Sequence, residues 1–142
     1  NGREQNFPEA IERNDIRRAI KNLKSGHIVW YGPDQDYGRR NAIFSPFFGI
    51  SAATITATSR IAKITGSPVV SFSHFRNPET GKYSVRISPP LEDFPSDSER
   101  DDVNRINQLI EAAVSKAPEQ YWWFHRRFKT RPDEAEDVYS RK

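Results

Sequence analysis

Cysteine and methionine are both missing from this sequence of 142 residues. Without cysteine there is no disulfide and no thiolate metal site to consider. Histidine is scarce: His27, His74 and His125 are far apart and show no metal-ligand spacing. No stretch approaches the roughly 20 apolar residues that a bilayer-crossing helix needs. The lack of methionine, together with an opening of Asn1-Gly2-Arg3, leads to the expectation that the chain is part of a longer reading frame.

What is present argues for a fold. Nine Phe, five Tyr and three Trp are too many aromatics for a disordered segment, and the length suits one domain. The net charge of +3 and a pI near 9.3 mildly favour an anionic partner without separating nucleic acid from phospholipid or an acidic protein.

Asn14 or Asp15 can cap a helix carrying Ile16, Ala19, Ile20 and Leu23 on one face, stopped by Gly26. His27 to Tyr31 reads as a strand ended by Gly32-Pro33. A polar loop leads into the aromatic run Phe44-Ser45-Pro46-Phe47-Phe48, and a second helix is expected from Ala52 to Thr65 with Gly66 as its stop. Pro68 to Phe75 and Tyr83 to Ile87 read as paired strands around the Asn77-to-Lys82 turn. An amphipathic helix from Ser98 to Lys116 presents Val103, Ile106, Leu109, Ile110 and Val114. Pro118 then breaks into an aromatic-basic tail, expected as a final helix. The pattern is α/β, with a short mixed sheet of three strands flanked by helices. So narrow a sheet looks open at one side, and the isolated chain is expected to aggregate or stay molten.

Several segments could carry chemistry. Asp34, Gln35 and Asp36, with Arg39 and Arg40 behind them, follow directly on the expected first strand, where α/β proteins often hold ligands. A solvated turn is the alternative. The aromatic run could line an acyl-chain slot or simply fill the core. Tyr121 to Arg131 interleaves Trp, Phe and Arg, which suits a membrane interface or stacked bases, or else a docked terminal helix. His74 and Glu79 have the His-to-acid spacing of a glycerolipid-acyltransferase base, but Pro78 and Gly81 make that segment a hairpin turn.

Taken together these pieces resemble the bacterial lipid A biosynthesis acyltransferases, within the lysophospholipid acyltransferase-like superfamily. The matching motifs are Arg13-Asn14-Asp15, Leu23 to Gly26, Tyr31-Gly32-Pro33-Asp34-Gln35-Asp36-Tyr37-Gly38, Phe44 to Gly49, Ala53 to Thr56, and Ala117 to Tyr121 running into His125 to Pro132. The resemblance implies the carboxy-terminal part of a glycerolipid acyltransferase-like fold, with residues 1–142 forming one portion of a single domain. It implies acyl transfer from acyl carrier protein to a hydroxyl of a lipid A precursor, at the cytoplasmic face of the inner membrane. The membrane surface is then a partner and nucleic acid is not; no cofactor or metal is implied. The family's general-base histidine would lie upstream, so no catalytic residue is expected here and the chain alone is not expected to turn over. Asp34, Gln35 and Asp36 would position substrate. Arg13, Arg39, Arg40 and Arg76 would meet phosphate or carrier protein, and His125, Arg126, Arg127, Lys129 and Arg131 match the tail motif. A free-standing module for anionic surfaces or nucleic acid, built on that tail, is the competing reading.

Overall fold

The computed structural model describes residues 5–133 and 135–140; the Asn1-Gly2-Arg3 opening lies outside the described residues. Helix α1 (Ile16–Lys24) begins as expected, with the Asp15 carboxylate accepting from Arg18 N at 3.0 Å. Ser25 and Gly26 then close it. The long helix α3 (Glu99–Val114) also matches its pattern: the Ser98 hydroxyl accepts from Asp101 N, and acids fill its first turn.

The strands differ from the sequence reading. His27–Tyr31 forms no strand; it runs as irregular backbone with Ile28 96% exposed, held at its far end by a hydrogen bond between Tyr31 Oη and Thr58 Oγ1. In its place the aromatic run pairs with the segment read as the start of the second helix. Strands β1 (Ala42–Phe47) and β2 (Ile50–Ile55) form an antiparallel hairpin in which Phe47 faces Ile50 across the turn. Helix α2 (Ala57–Thr65) starts only afterwards and ends at Gly66, whose φ of 68° makes it a left-handed cap.

The hairpin escaped the sequence reading because its turn is Phe48-Gly49. Both residues have positive φ, 49° and 74°, the requirement of a two-residue type I′ turn. Asn or Gly ordinarily fills the first of those positions, so a Phe there hides the signal.

Strands β3 (Phe72–Arg76) and β4 (Tyr83–Ile87) make a second antiparallel hairpin, with β4 as expected and β3 beginning later than expected. Among the described residues there is therefore not one mixed sheet of three strands but two separate two-stranded antiparallel ones. The expected terminal helix is replaced by two short 3₁₀ turns, Pro118–Gln120 and Trp123–His125. The α/β character holds; its sheet arrangement is the correction.

The core gathers where α3 crosses the β1–β2 hairpin. Phe47, Ala52 and Phe128 are its buried centre, with Ile50, Ile110, Tyr121 and Tyr139 packed around them. The tail thus completes the core rather than trailing from it.

Candidate functional site

The polar loop 32–41 and the tail 121–133 lie against each other on one side of the β1–β2 hairpin. Hydrogen bonds join them. The Asp36 carboxylate accepts from Gly38 N at 2.8 Å and from Thr130 N at 2.7 Å. Tyr121 Oη donates to the Asp34 carbonyl at 3.2 Å, and the Gln35 amide lies 3.3 Å from the His125 ring. Arg39 donates to the Arg131 carbonyl and to Asp133, at 2.8 and 2.7 Å, with its guanidinium over the Phe44 ring. Tyr37 Oη closes the loop on the Gly32 carbonyl, and Arg13 sits over the Tyr37 ring. The loop and tail motifs, some ninety positions apart in sequence, thus form one surface.

The tail divides its cations between inside and outside. Arg126 has a left-handed backbone, φ 47°, which reverses the chain so that Arg127 turns inward while Arg126 stays out over the Tyr139 ring. Arg127 is only 1% exposed. Its guanidinium donates to the Ala53 carbonyl at 2.7 Å, to Thr54 Oγ1 at 2.5 Å and to Asn107 Oδ1 at 3.3 Å, and it stacks on Phe47. Burial pushes its pKa below the ordinary arginine value. Burial likewise pushes the Tyr121 hydroxyl up, with the nearby Asp34 charge adding to it.

Asn107 extends the buried network. Its amide nitrogen donates to Ser45 Oγ, the Pro46 carbonyl and Thr54 Oγ1 at 2.9 to 3.1 Å. One helix, both strands of the hairpin and the tail are therefore tied at a single point. The sequence reading missed Asn107, and placed Ser45 and Thr54 in family motifs without a role. The available signal was an Asn four residues after Val103, inside the apolar stripe of α3, where only a buried partner would justify it.

The remaining candidates are placed as follows. Both carboxylate oxygens of Asp36 and both terminal nitrogens of the Arg127 guanidinium are engaged by the fold, while Arg127 Nε is buried without a hydrogen-bond partner. Arg131 is half-buried, donating to the Ser51 and Glu136 carbonyls. Arg40 and Lys129 are exposed. Arg76 lies at the end of β3, its backbone N–H and carbonyl bonded at 2.8 and 2.9 Å to the Gln120 amide, which moors the second hairpin to the tail. His74 stands on the exposed face of that hairpin between the Phe72 and Tyr83 rings, and the backbone N–H of Glu79 is bound in the Asn77 turn.

The sequence that builds this acidic loop, basic tail and hairpin matches a known family. The family model of the bacterial lipid A biosynthesis acyltransferases matches residues 1–130. The chain is 40% identical over 133 residues to the lipid A biosynthesis lauroyltransferase of Escherichia coli K12, covering 93% of this chain and 44% of that protein. It is 37% identical over 139 residues to the lipid A biosynthesis palmitoleoyltransferase of the same organism, covering 97% and 45%. A lipid A biosynthesis acyltransferase of Haemophilus influenzae is 39% identical over 135 residues, 94% of this chain and 43% of that protein. The chain belongs to the bacterial lipid A biosynthesis acyltransferase family. It spans less than half the length of these relatives.

Proposed function

We propose that this chain is the carboxy-terminal portion of an acyltransferase domain that moves a fatty acyl group from acyl carrier protein to a hydroxyl of a lipid A precursor. The observation that carries the reading is that the family's loop motif and tail motif, distant in sequence, meet in one polar surface. Within that surface the residues divide by burial. Asp36 and Arg127 set its shape. Arg13, Arg40, His125, Arg126 and Lys129 are exposed and Asp34 and Gln35 half-buried; together they would position an anionic phosphoglycolipid or a carrier protein. Arg39 and Arg131 order the loop and tail edge, and Arg76 lies further off, beside the second hairpin.

The reaction site would be on the cytoplasmic face of the inner membrane, where carrier protein and lipid acceptor meet. None of these residues is assigned the proton transfer: His74 stands between two rings on an exposed sheet face. The general base is proposed to come from a portion of the family's domain that precedes these residues.

The test is acyl transfer from acyl carrier protein to a lipid A precursor, by this chain alone and within its complete reading frame. Activity in the longer protein only, reduced by Asp34→Ala without loss of folding, is the expected result. Turnover by these 142 residues alone would overturn the reading and put the base at His74 and Glu79.

A further inference from the structure

One face of α3 meets the β1–β2 hairpin through a row of side-chain contacts. Arg100 donates to the Phe44 carbonyl at 3.4 Å, Ser45 Oγ donates to Asn104 Oδ1 at 2.7 Å, and the Phe48 N–H donates to Glu111 Oε1 at 2.8 Å. Residues 104, 108 and 111 have the spacing of neighbours on a single helix face. With Pro46 and Gly49 they line an open cleft of about 200 Å³.

The contacts to the hairpin use half of each two-sided group and fix the other half in place. Ser45 occupies Asn104 Oδ1, which leaves Asn104 Nδ2 as an unused donor. The Phe48 N–H occupies Glu111 Oε1 and leaves Oε2 as an unused acceptor. Gln108, exposed between them, adds one donor and one acceptor. Among the described residues none of these four groups has a hydrogen-bond partner.

The lining excludes several kinds of ligand. No Lys or Arg lines the cleft, so it offers no counter-charge to a phosphate or carboxylate. Glu111 is its one acid, and no group of three or more metal-ligating side chains occurs among the described residues. Pro46 is its one apolar side chain, too little to hold an acyl chain. A row of donor, donor with acceptor, and acceptor is matched by groups that give and take hydrogen bonds at once. A hydroxyl does both, and neighbouring hydroxyls on a ring repeat the pattern. The volume is the liquid share of about seven waters, which suits a single six-membered sugar ring.

We propose that this cleft binds a saccharide ring through its hydroxyls, with Asn104 Nδ2 donating, Glu111 Oε2 accepting and the Gln108 amide doing both between them. A free sugar and a glycolipid headgroup present the same hydroxyls. Binding of a free sugar needs no acyl transfer, so the site is independent of the acyltransferase reading.

The experiment is saturation-transfer NMR and titration of the complete protein with N-acetylglucosamine and with glucose. A single ring held by a few hydrogen bonds should bind with a Kd of about 1 mM. Glu111→Gln keeps an acceptor for the Phe48 N–H and replaces the free carboxylate oxygen by an amide; it should weaken binding about tenfold. Gln108→Ala removes no contact within the protein and should weaken it about threefold. Both variants should melt like the parent, so lost binding is not lost folding. Glu119→Gln, an exposed acid outside the cleft, should bind like the parent.

Failure of both sugars to bind would overturn the proposal, as would parent-like binding by Glu111→Gln and Gln108→Ala. Displacement of the sugar by inorganic phosphate or by trialanine would overturn it too, and would assign the cleft to an anion or a peptide. The source of the ring is read from acyl transfer. A KM for the lipid A precursor raised about tenfold in Glu111→Gln, with kcat held, makes the ring the acceptor's own headgroup. An unchanged KM beside weakened free-sugar binding makes the cleft a separate saccharide site. A parent protein without acyl transfer would sink the acyltransferase reading and leave the sugar titration standing, so the two failures are distinguishable.

Discussion

Replacing Arg127 by Ala tests whether the tail motif is a strut or a ligand contact. The change removes the donors that reach the Ala53 carbonyl, Thr54 Oγ1 and Asn107 Oδ1, and empties the space over Phe47. Thr54 and Asn107 keep each other as partners, while the Ala53 carbonyl loses a donor at 2.7 Å. A buried acceptor left dry costs about 1–3 kcal/mol. Truncating a packed side chain of this length adds about 1–2 kcal/mol for lost contacts and the void. The sum, about 2–5 kcal/mol, is a large share of the roughly 5–15 kcal/mol that holds a domain together. Thermal unfolding of the complete protein, followed by tryptophan fluorescence, should drop by ~4–20 °C. Arg127→Lys should lose about half as much, because an ammonium cannot reach three acceptors set for a planar fork. The reasoning would be refuted if Arg127→Ala melted like the parent and lost only acyl transfer. That outcome would make Arg127 a group that meets substrate.

Three further substitutions follow from the hydrogen-bond geometry. Asp36→Ala removes the acceptor shared by Gly38 N and Thr130 N and should cost about 1–3 kcal/mol in urea unfolding. Asp34→Ala keeps the backbone carbonyl that receives Tyr121 and should change stability by less than about 0.5 kcal/mol; equal losses from the two would refute the division between shape and substrate contact. Burial pushes the Tyr31 hydroxyl up to about 12, partly offset by its hydrogen bond to Thr58. The unfolded chain ionises near 10, so this stabilisation is complete below pH 10 and disappears as pH rises through about 12. The parent should lose about 2–3 kcal/mol across that window relative to Tyr31→Phe; identical pH profiles would show that Tyr31 is wet.

Much of the molecule was legible locally. Helices α1 and α3 follow from their caps and apolar periodicity, because Asp15 and Ser98 act within a few residues and the period of an isolated helix is set by its own backbone. The turn between β3 and β4 was legible for the same reason: Asn77 binds the N–H groups of Glu79 and Thr80 without help from elsewhere. The loop and tail motifs were legible through family resemblance, since that signal lies in residue identity at fixed order.

Tertiary structure decided the rest. Residues 50–55 carry helix-compatible Ala and Ser, yet Ala52, Ala53 and Thr54 are buried in a strand because β1 and α3 supply their partners. His27–Tyr31 has strand composition but no neighbour among the described residues to complete a ladder, so its composition alone could not make a sheet. Charge alone could not divide the tail. Arg126 and Arg127 are adjacent and chemically identical, and only a left-handed turn over a pocket of carbonyl and amide oxygens sends one outward and buries the other. Sequence by itself determined the family, the helices and the motifs; packing decided which of their polar groups hold the fold and which face solvent, because burial depends on partners many positions away.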